Sequence, residues 1–114
     1  MSSPITTHVL DTARGCPAAG LDIRLERTDG AGGWIAVGGG TTNSDGRVAD
    51  LMAPGQLQAT TYRITFEVGP YLEATGDPGF YSTVPVIFTV REIEQHYHVP
   101  LLLSPYGFST YRGS

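Results

Sequence analysis

Lysine is missing from this chain: all seven cationic side chains are arginine, set against 11 acidic ones for a net charge of -4. That balance argues against nucleic acid as a partner. Cysteine is nearly missing. Cys16 stands alone, which excludes an internal disulfide and any cysteine-based zinc site, and points to a reducing compartment. No stretch approaches the roughly 20 apolar residues that a membrane helix needs, so no membrane partner is expected. The opening MSSPITTHVL lacks the charged and apolar regions of a signal peptide, and the last residues are not a peroxisomal tripeptide. The expected location is the cytoplasm, with the periplasm the alternative if a signal has been removed.

There are no internal repeats, linkers or low-complexity segments, and a chain of 114 residues is expected to fold as one domain, 1–114, with a core that needs no staples. Apolar residues make up 40%, while 15 glycines and 8 prolines supply many turns. This composition suits an all-β chain.

Alternation with a period of two marks the strands. Ile5 to Asp11 puts Ile5, Thr7 and Val9 on one face and Thr6, His8 and Leu10 on the other. Ala13 to Pro17 reads as a turn, and Leu21, Ile23 and Leu25 alternate with charged residues. A strand from Trp34 leads into Gly38-Gly39-Gly40, where a bulge or loose strand end is expected. Asn43-Ser44-Asp45-Gly46 is a turn, followed by a short strand from Arg47 to Leu51. Tyr62 to Val68 and Val84 to Val90 alternate clearly, and between them Gly69 to Gly76 is expected to form one short helix, with Pro70 at its first position and Gly76 after its last. The closing pair spans Gln95 to Leu103 and Ser109 to Arg112, joined through Ser104 to Gly107. About eight short strands with mostly short connections predict a two-sheet antiparallel β-sandwich.

The stretch from Gln95 to Ser114 holds most of the chemistry. His96 and His98, two apart on a strand, share a face. Together with His8 they permit a zinc-ligand reading, although no carboxylate is obviously placed to support such ligands. Taken singly, each histidine is as readily a structural strand residue. Pro100 lacks an N–H, so its strand must lie at an edge or carry an irregularity there. Arg47, directly after a turn, is either a solvated charge or a planar clamp for an anion or carbonyl. The end, Tyr111-Arg112-Gly113-Ser114, puts an aromatic, a guanidinium, a hydroxyl and a carboxylate directly after a strand.

Three blocks together carry a resemblance. Thr7 to Ala18 (THVLDTARGCPA), Thr42 to Leu51 with Asp45-Gly46-Arg47, and His96 to Gly107 (HYHVPLLLSPYG) resemble the signatures of the transthyretin family. With His8, Arg47, His98 and the closing Tyr-Arg-Gly-Ser, the chain is similar to the family's 5-hydroxyisourate hydrolase branch. The hormone carriers of the family lack both histidines. Phe108 departs from the pattern, where tyrosine is commoner.

The resemblance implies a transthyretin-like all-β sandwich of two four-stranded sheets with a short helix. It also implies a homotetramer, a dimer of dimers with sites at the dimer–dimer interface, and metal-free, cofactor-free hydrolysis of 5-hydroxyisourate to 2-oxo-4-hydroxy-4-carboxy-5-ureidoimidazoline. His8, Arg47, His98 and Ser114 are then the catalytic residues. His8, Arg47, Tyr111, Arg112 and Gly113 are those that bind substrate. The alternatives are a small-ligand binding protein on the same fold and a zinc hydrolase built on His8, His96 and His98.

Overall fold

The computed structural model describes residues 2–114. Among these, eight strands form two four-stranded sheets, with one helix between the fifth and sixth strands. The strands are β1 (Ile5–Asp11), β2 (Cys16–Pro17), β3 (Asp22–Thr28), β4 (Trp34–Thr41), β5 (Thr61–Phe66), β6 (Val84–Thr89), β7 (Tyr97–Ser104) and β8 (Gly107–Thr110), and helix α1 is Val68–Ala74. One sheet runs β2-β1-β7-β8 and the other β4-β3-β5-β6. The helix is far too short to cross a membrane.

Alternation builds the sandwich. Ile5 and Val9 of β1, Ile23 and Leu25 of β3, Tyr62, Ile64 and Phe66 of β5, and Val99, Leu101 and Leu103 of β7 turn inward and are almost wholly buried. The outer face of the β3–β5 sheet carries ion pairs instead, Arg24–Glu67 at 3.0 Å and Arg63–Glu26 at 2.7 Å, with Arg63 also stacked over Trp34.

The strand count matches the expectation, but one member differs. The expected strand Arg47–Leu51 shrinks to a single antiparallel bridge between Arg47 and His8. Val48 and Leu51 turn into the core instead. Cys16–Pro17, expected within a turn, pairs antiparallel with Leu10 and Asp11 as β2. One pairing also runs counter to the antiparallel rule: β1 and β7, the central strands of their sheet, are parallel from Ile5↔Tyr97 to Asp11↔Leu103. A parallel pair needs a crossover, and here the whole second sheet lies between the two strands in sequence.

The glycine run does sit at a bulge. The β3–β4 register slips between Leu25 and Glu26, opposite Val37. A Cβ on Gly38 would collide with the Leu51 carbonyl, so glycine lets the chain after Gly46 cross β4 closely.

The helix begins earlier than expected, at Val68, leaving Pro70 in its first turn. It closes as a Schellman motif: Gly76 at φ +84° donates to the Glu73 carbonyl at 3.0 Å, and Asp77 donates to that of Leu72 at 3.3 Å. The helix is tied to β1 by the Tyr71 hydroxyl, which donates to Asp11 Oδ2 at 2.8 Å. Asp11 is buried, and its Oδ1 accepts from the Arg14 N–H. Burial and the neighbouring carboxylate push the Tyr71 hydroxyl up to about 12. Tyr71→Phe would leave a buried carboxylate oxygen without its donor. It is expected to destabilise the fold by about 1–3 kcal/mol in a chemical denaturation series.

Candidate functional site

Period two places Thr6, His8 and Leu10 of β1, with His98 and Leu102 of β7, on the outer face of the β2-β1-β7-β8 sheet, each half-buried. The parallel register sets Thr6 opposite His98 and His8 opposite Pro100. The two histidines therefore stand on adjacent central strands, one pleat apart.

Arg47 reaches this face through a tightly specified turn. Asn43 Oδ1 accepts from the backbone N–H of Asp45 at 2.9 Å and of Arg47 at 3.1 Å. The Asn43 N–H donates to the Arg47 carbonyl at 2.8 Å, and the Val9 N–H donates to the Gly46 carbonyl at 2.9 Å. Gly46, at φ +75°, packs so closely on β1 that an added Cβ would lie 2.5 Å from the Val9 carbonyl oxygen and 3.3 Å from His8 Cδ2. The glycine therefore clamps Arg47 beside His8.

The end of the chain reaches His98 because of Pro100. The β7–β8 ladder pairs Ser104 with Gly107 and Leu102 with Ser109. In that register Pro100 falls opposite Tyr111, where it has no N–H to donate. Pairing stops at Thr110, then resumes for one bridge in which the Gly113 N–H donates to the His98 carbonyl at 2.8 Å. The irregularity expected at Pro100 is thus a gap in an otherwise continuous register. Gly113 lies flat on the imidazole, where an added Cβ would be 2.6 Å from His98 Cδ2. Ser114 follows directly and is exposed.

His8, Arg47, His98 and Gly113 thus converge on one sheet face, with Ser114 next in the chain. Tyr111 and Arg112 do not join them. The Arg112 guanidinium lies 4.5 Å over the Tyr97 ring and donates to Gln95 Oε1 at 2.9 Å. Tyr97 and Val99 face the opposite side of β7 from His98, and with Tyr111, Arg112, Val86 and Phe88 they line an apolar cavity of about 260 Å³. His96 falls just before β7 and is exposed. Among the described residues, no three His, Cys, Asp or Glu side chains are grouped to hold a metal ion. Thr6 was missed by sequence reasoning. Its Oγ1 lies 2.8 Å from His98 Nδ1 and 2.8 Å from His96 Nε2.

Burial holds the His98 imidazole below the usual histidine range, and the Arg47 charge, His96 and His8 add to that. His98 is therefore neutral at neutral pH. A lowered folded-state value means that the unfolded chain binds the proton first as pH falls. The resulting stability is complete above about pH 6.5 and is lost as pH drops through that value towards the folded one. An NMR titration of the His98 ring is expected to find its midpoint below about 6.5. Arg47→Gln should raise that midpoint only partway, because burial is the larger cause.

The fold and this face define a transthyretin-like β-sandwich with a histidine–arginine cluster on the open side of one sheet. Residues 5–113 match the model of the HIUase/Transthyretin family, and the chain belongs to that family. It is 46% identical over 114 residues to the 5-hydroxyisourate hydrolase of Mus musculus, covering 99% of this chain and 97% of the relative. Sea bream transthyretin, solved in complex with thyroxine, superposes with a TM-score of 0.92 at 28% identity, over 97% of this chain and 95% of that one. The 5-hydroxyisourate hydrolase of Klebsiella pneumoniae superposes with a TM-score of 0.82 at 31% identity, over 96% and 98%.

Proposed function

We propose that the protein is a 5-hydroxyisourate hydrolase of urate degradation. Backbone similarity does not separate this reading from a carrier, since a thyroxine-bound transthyretin superposes with a higher score than a hydrolase does. One observation favours catalysis: His8, Arg47 and His98 share a sheet face on which His98 is kept neutral. A carrier of a small apolar ligand gains nothing from two imidazoles and a guanidinium there.

Opening a cyclic amide with water needs a base for the water, a donor for the developing oxyanion and a proton for the leaving nitrogen. A neutral His98 suits the first task, and His8 one pleat away suits proton delivery. Arg47 offers a planar, permanently charged donor for an oxygen-rich ring and for charge that builds up on the attacked carbonyl. Gly113 leaves room against His98, and the Ser114 hydroxyl or carboxylate would orient water or a histidine. No metal is required by this scheme.

The same reading includes a homotetramer, a dimer of dimers. A single subunit leaves the histidine face open, whereas hydrolysis calls for a site closed to bulk water. β6 and β8 are both edge strands, and Ile87, Phe108 and Tyr111 beside them are exposed; such edges invite pairing with another copy. Two subunits facing across the histidine sheets would enclose the clusters, and the Tyr111 and Arg112 side chains would contribute to substrate binding from across such an interface. The single thiol, Cys16, suits the cytoplasm, which we propose as the location.

The test is a coupled assay in which urate oxidase generates 5-hydroxyisourate and its ultraviolet decay is followed with and without the protein. Acceleration unaffected by EDTA is expected. Acceleration abolished by EDTA and restored by zinc would replace this reading with a zinc hydrolase. No acceleration by the folded oligomer would replace it with a binding protein.

A further inference from the structure

Thr6 has no part in the chemistry above, yet it sits between two imidazoles. Its Oγ1 is 2.8 Å from Nδ1 of His98 and 2.8 Å from Nε2 of the exposed His96. A threonine hydroxyl carries one proton and two lone pairs. Between two neutral imidazoles it accepts from one ring and donates to the other, so the tautomers of the two histidines are coupled through it. His98 Nε2, by contrast, makes no hydrogen bond among the described residues, and the charged or titratable groups around this ring are Arg47, His8 and His96, with the carboxylate of Ser114 one residue beyond the Gly113 bridge.

We propose that Thr6 is the positioning residue for His98, holding it in the Nδ1–H tautomer with Nε2 bare towards the substrate. In this arrangement His98 Nδ1–H donates to Thr6 Oγ1, and the Thr6 hydroxyl donates to His96 Nε2. His96 gives the hydroxyl proton somewhere to point other than His98. The assignment matters because an imidazole with its proton on Nε2 cannot accept another there: the reverse chain, in which His96 Nε2–H donates to Thr6 and Thr6 donates to His98 Nδ1, would leave His98 unable to act as the base. Which nitrogen of a histidine is protonated is set by the partner of the other nitrogen, and Thr6 is that partner. The register Thr6↔His98 fixes the contact by backbone pairing, so it does not depend on a mobile loop.

The contacts come from the structure and the direction of their hydrogen bonds from the hydrolase reading, and two measurements keep the two apart. The first is ¹⁵N NMR of the histidine rings in the ligand-free protein at about pH 8, above the ordinary imidazole range. Wild type is expected to show His98 predominantly as Nδ1–H. Thr6→Val, which keeps the shape and removes the hydroxyl, is expected to shift it towards Nε2–H, and Thr6→Ser to restore it. His96→Ala is expected to give a mixture, and His96→Gln, whose side-chain carbonyl can accept from Thr6, to stay close to wild type. The second is turnover. Thr6→Val is expected to lose about 10- to 100-fold in kcat, part of the roughly 10²–10⁴ available to a general base, with KM nearly unchanged and Thr6→Ser rescuing. A wild-type His98 already in the Nε2–H form, or a tautomer indifferent to Thr6→Val, would overturn the proposal even in an active enzyme. An inactive protein whose His98 tautomer follows Thr6 would overturn the hydrolase reading and leave the positioning role standing.

Discussion

Turnover of 5-hydroxyisourate by the His98→Ala variant is expected to fall about 10²- to 10⁴-fold, the range that a positioned general base contributes. Arg47→Ala is expected to lose about 10²–10³-fold, as for other donors aimed at developing negative charge. Neither loss should come from unfolding. His98 is half-exposed on the outer face, and its tie to Gly113 runs through the backbone carbonyl, which alanine keeps. Arg47 is exposed and is held in its turn by backbone groups and Asn43, not by its guanidinium. Thermal melts close to wild type, beside the loss of kcat, would support the assignment. Near-normal turnover in both variants would sink it.

The second large effect is expected at Gly46, a residue that touches no substrate. Gly46→Ala must place a Cβ at φ +75° and 2.5 Å from the Val9 carbonyl oxygen. The left-handed backbone costs about 1–2 kcal/mol for a residue with a Cβ, and crowding against a strand that cannot move adds about 1–3 kcal/mol. The Val9–Gly46 hydrogen bond must lengthen to relieve the contact, and that bond sets the distance from Arg47 to His8. Gly46→Ala is therefore expected to be destabilised in urea and also to turn over slowly at temperatures where it remains folded. Gly15→Ala is the control. It has a similar φ of +68° but open space around the added Cβ, so it should show the backbone cost with no loss of activity. Equal activities in the two variants would mean that the turn does not aim Arg47.

His8, Arg47 and His98 were legible because their types and flanking blocks carry a family resemblance, and strand periodicity puts each histidine on a definite face. The strands themselves were legible wherever apolar and polar residues alternate, as in β1 and β5. Arg47–Leu51 misled because a turn followed by Val48 looks like a hairpin arm, whereas the segment crosses the sandwich and buries Val48 and Leu51. Cys16–Pro17 was too short to show any period. Thr6 was invisible for another reason. Its importance lies in standing beside His98, and that follows from a parallel register that no local pattern encodes. The same holds for Gly113, whose packing on His98 depends on a gap in pairing at Pro100.

The parallel pairing of β1 with β7 also has a consequence in time. Thr6 and His98 are 92 residues apart in the chain, and contacts of such separation form late, because the loop between them must first be closed at an entropic cost. During synthesis β1 emerges first and must wait, without its central neighbour, until β7 has left the ribosome. The second sheet, whose strands follow one another in sequence, is free to assemble meanwhile. A folding experiment that follows the histidine rings would then see them meet in the last step, so that the chemistry of this protein is acquired all at once and only by a chain already folded.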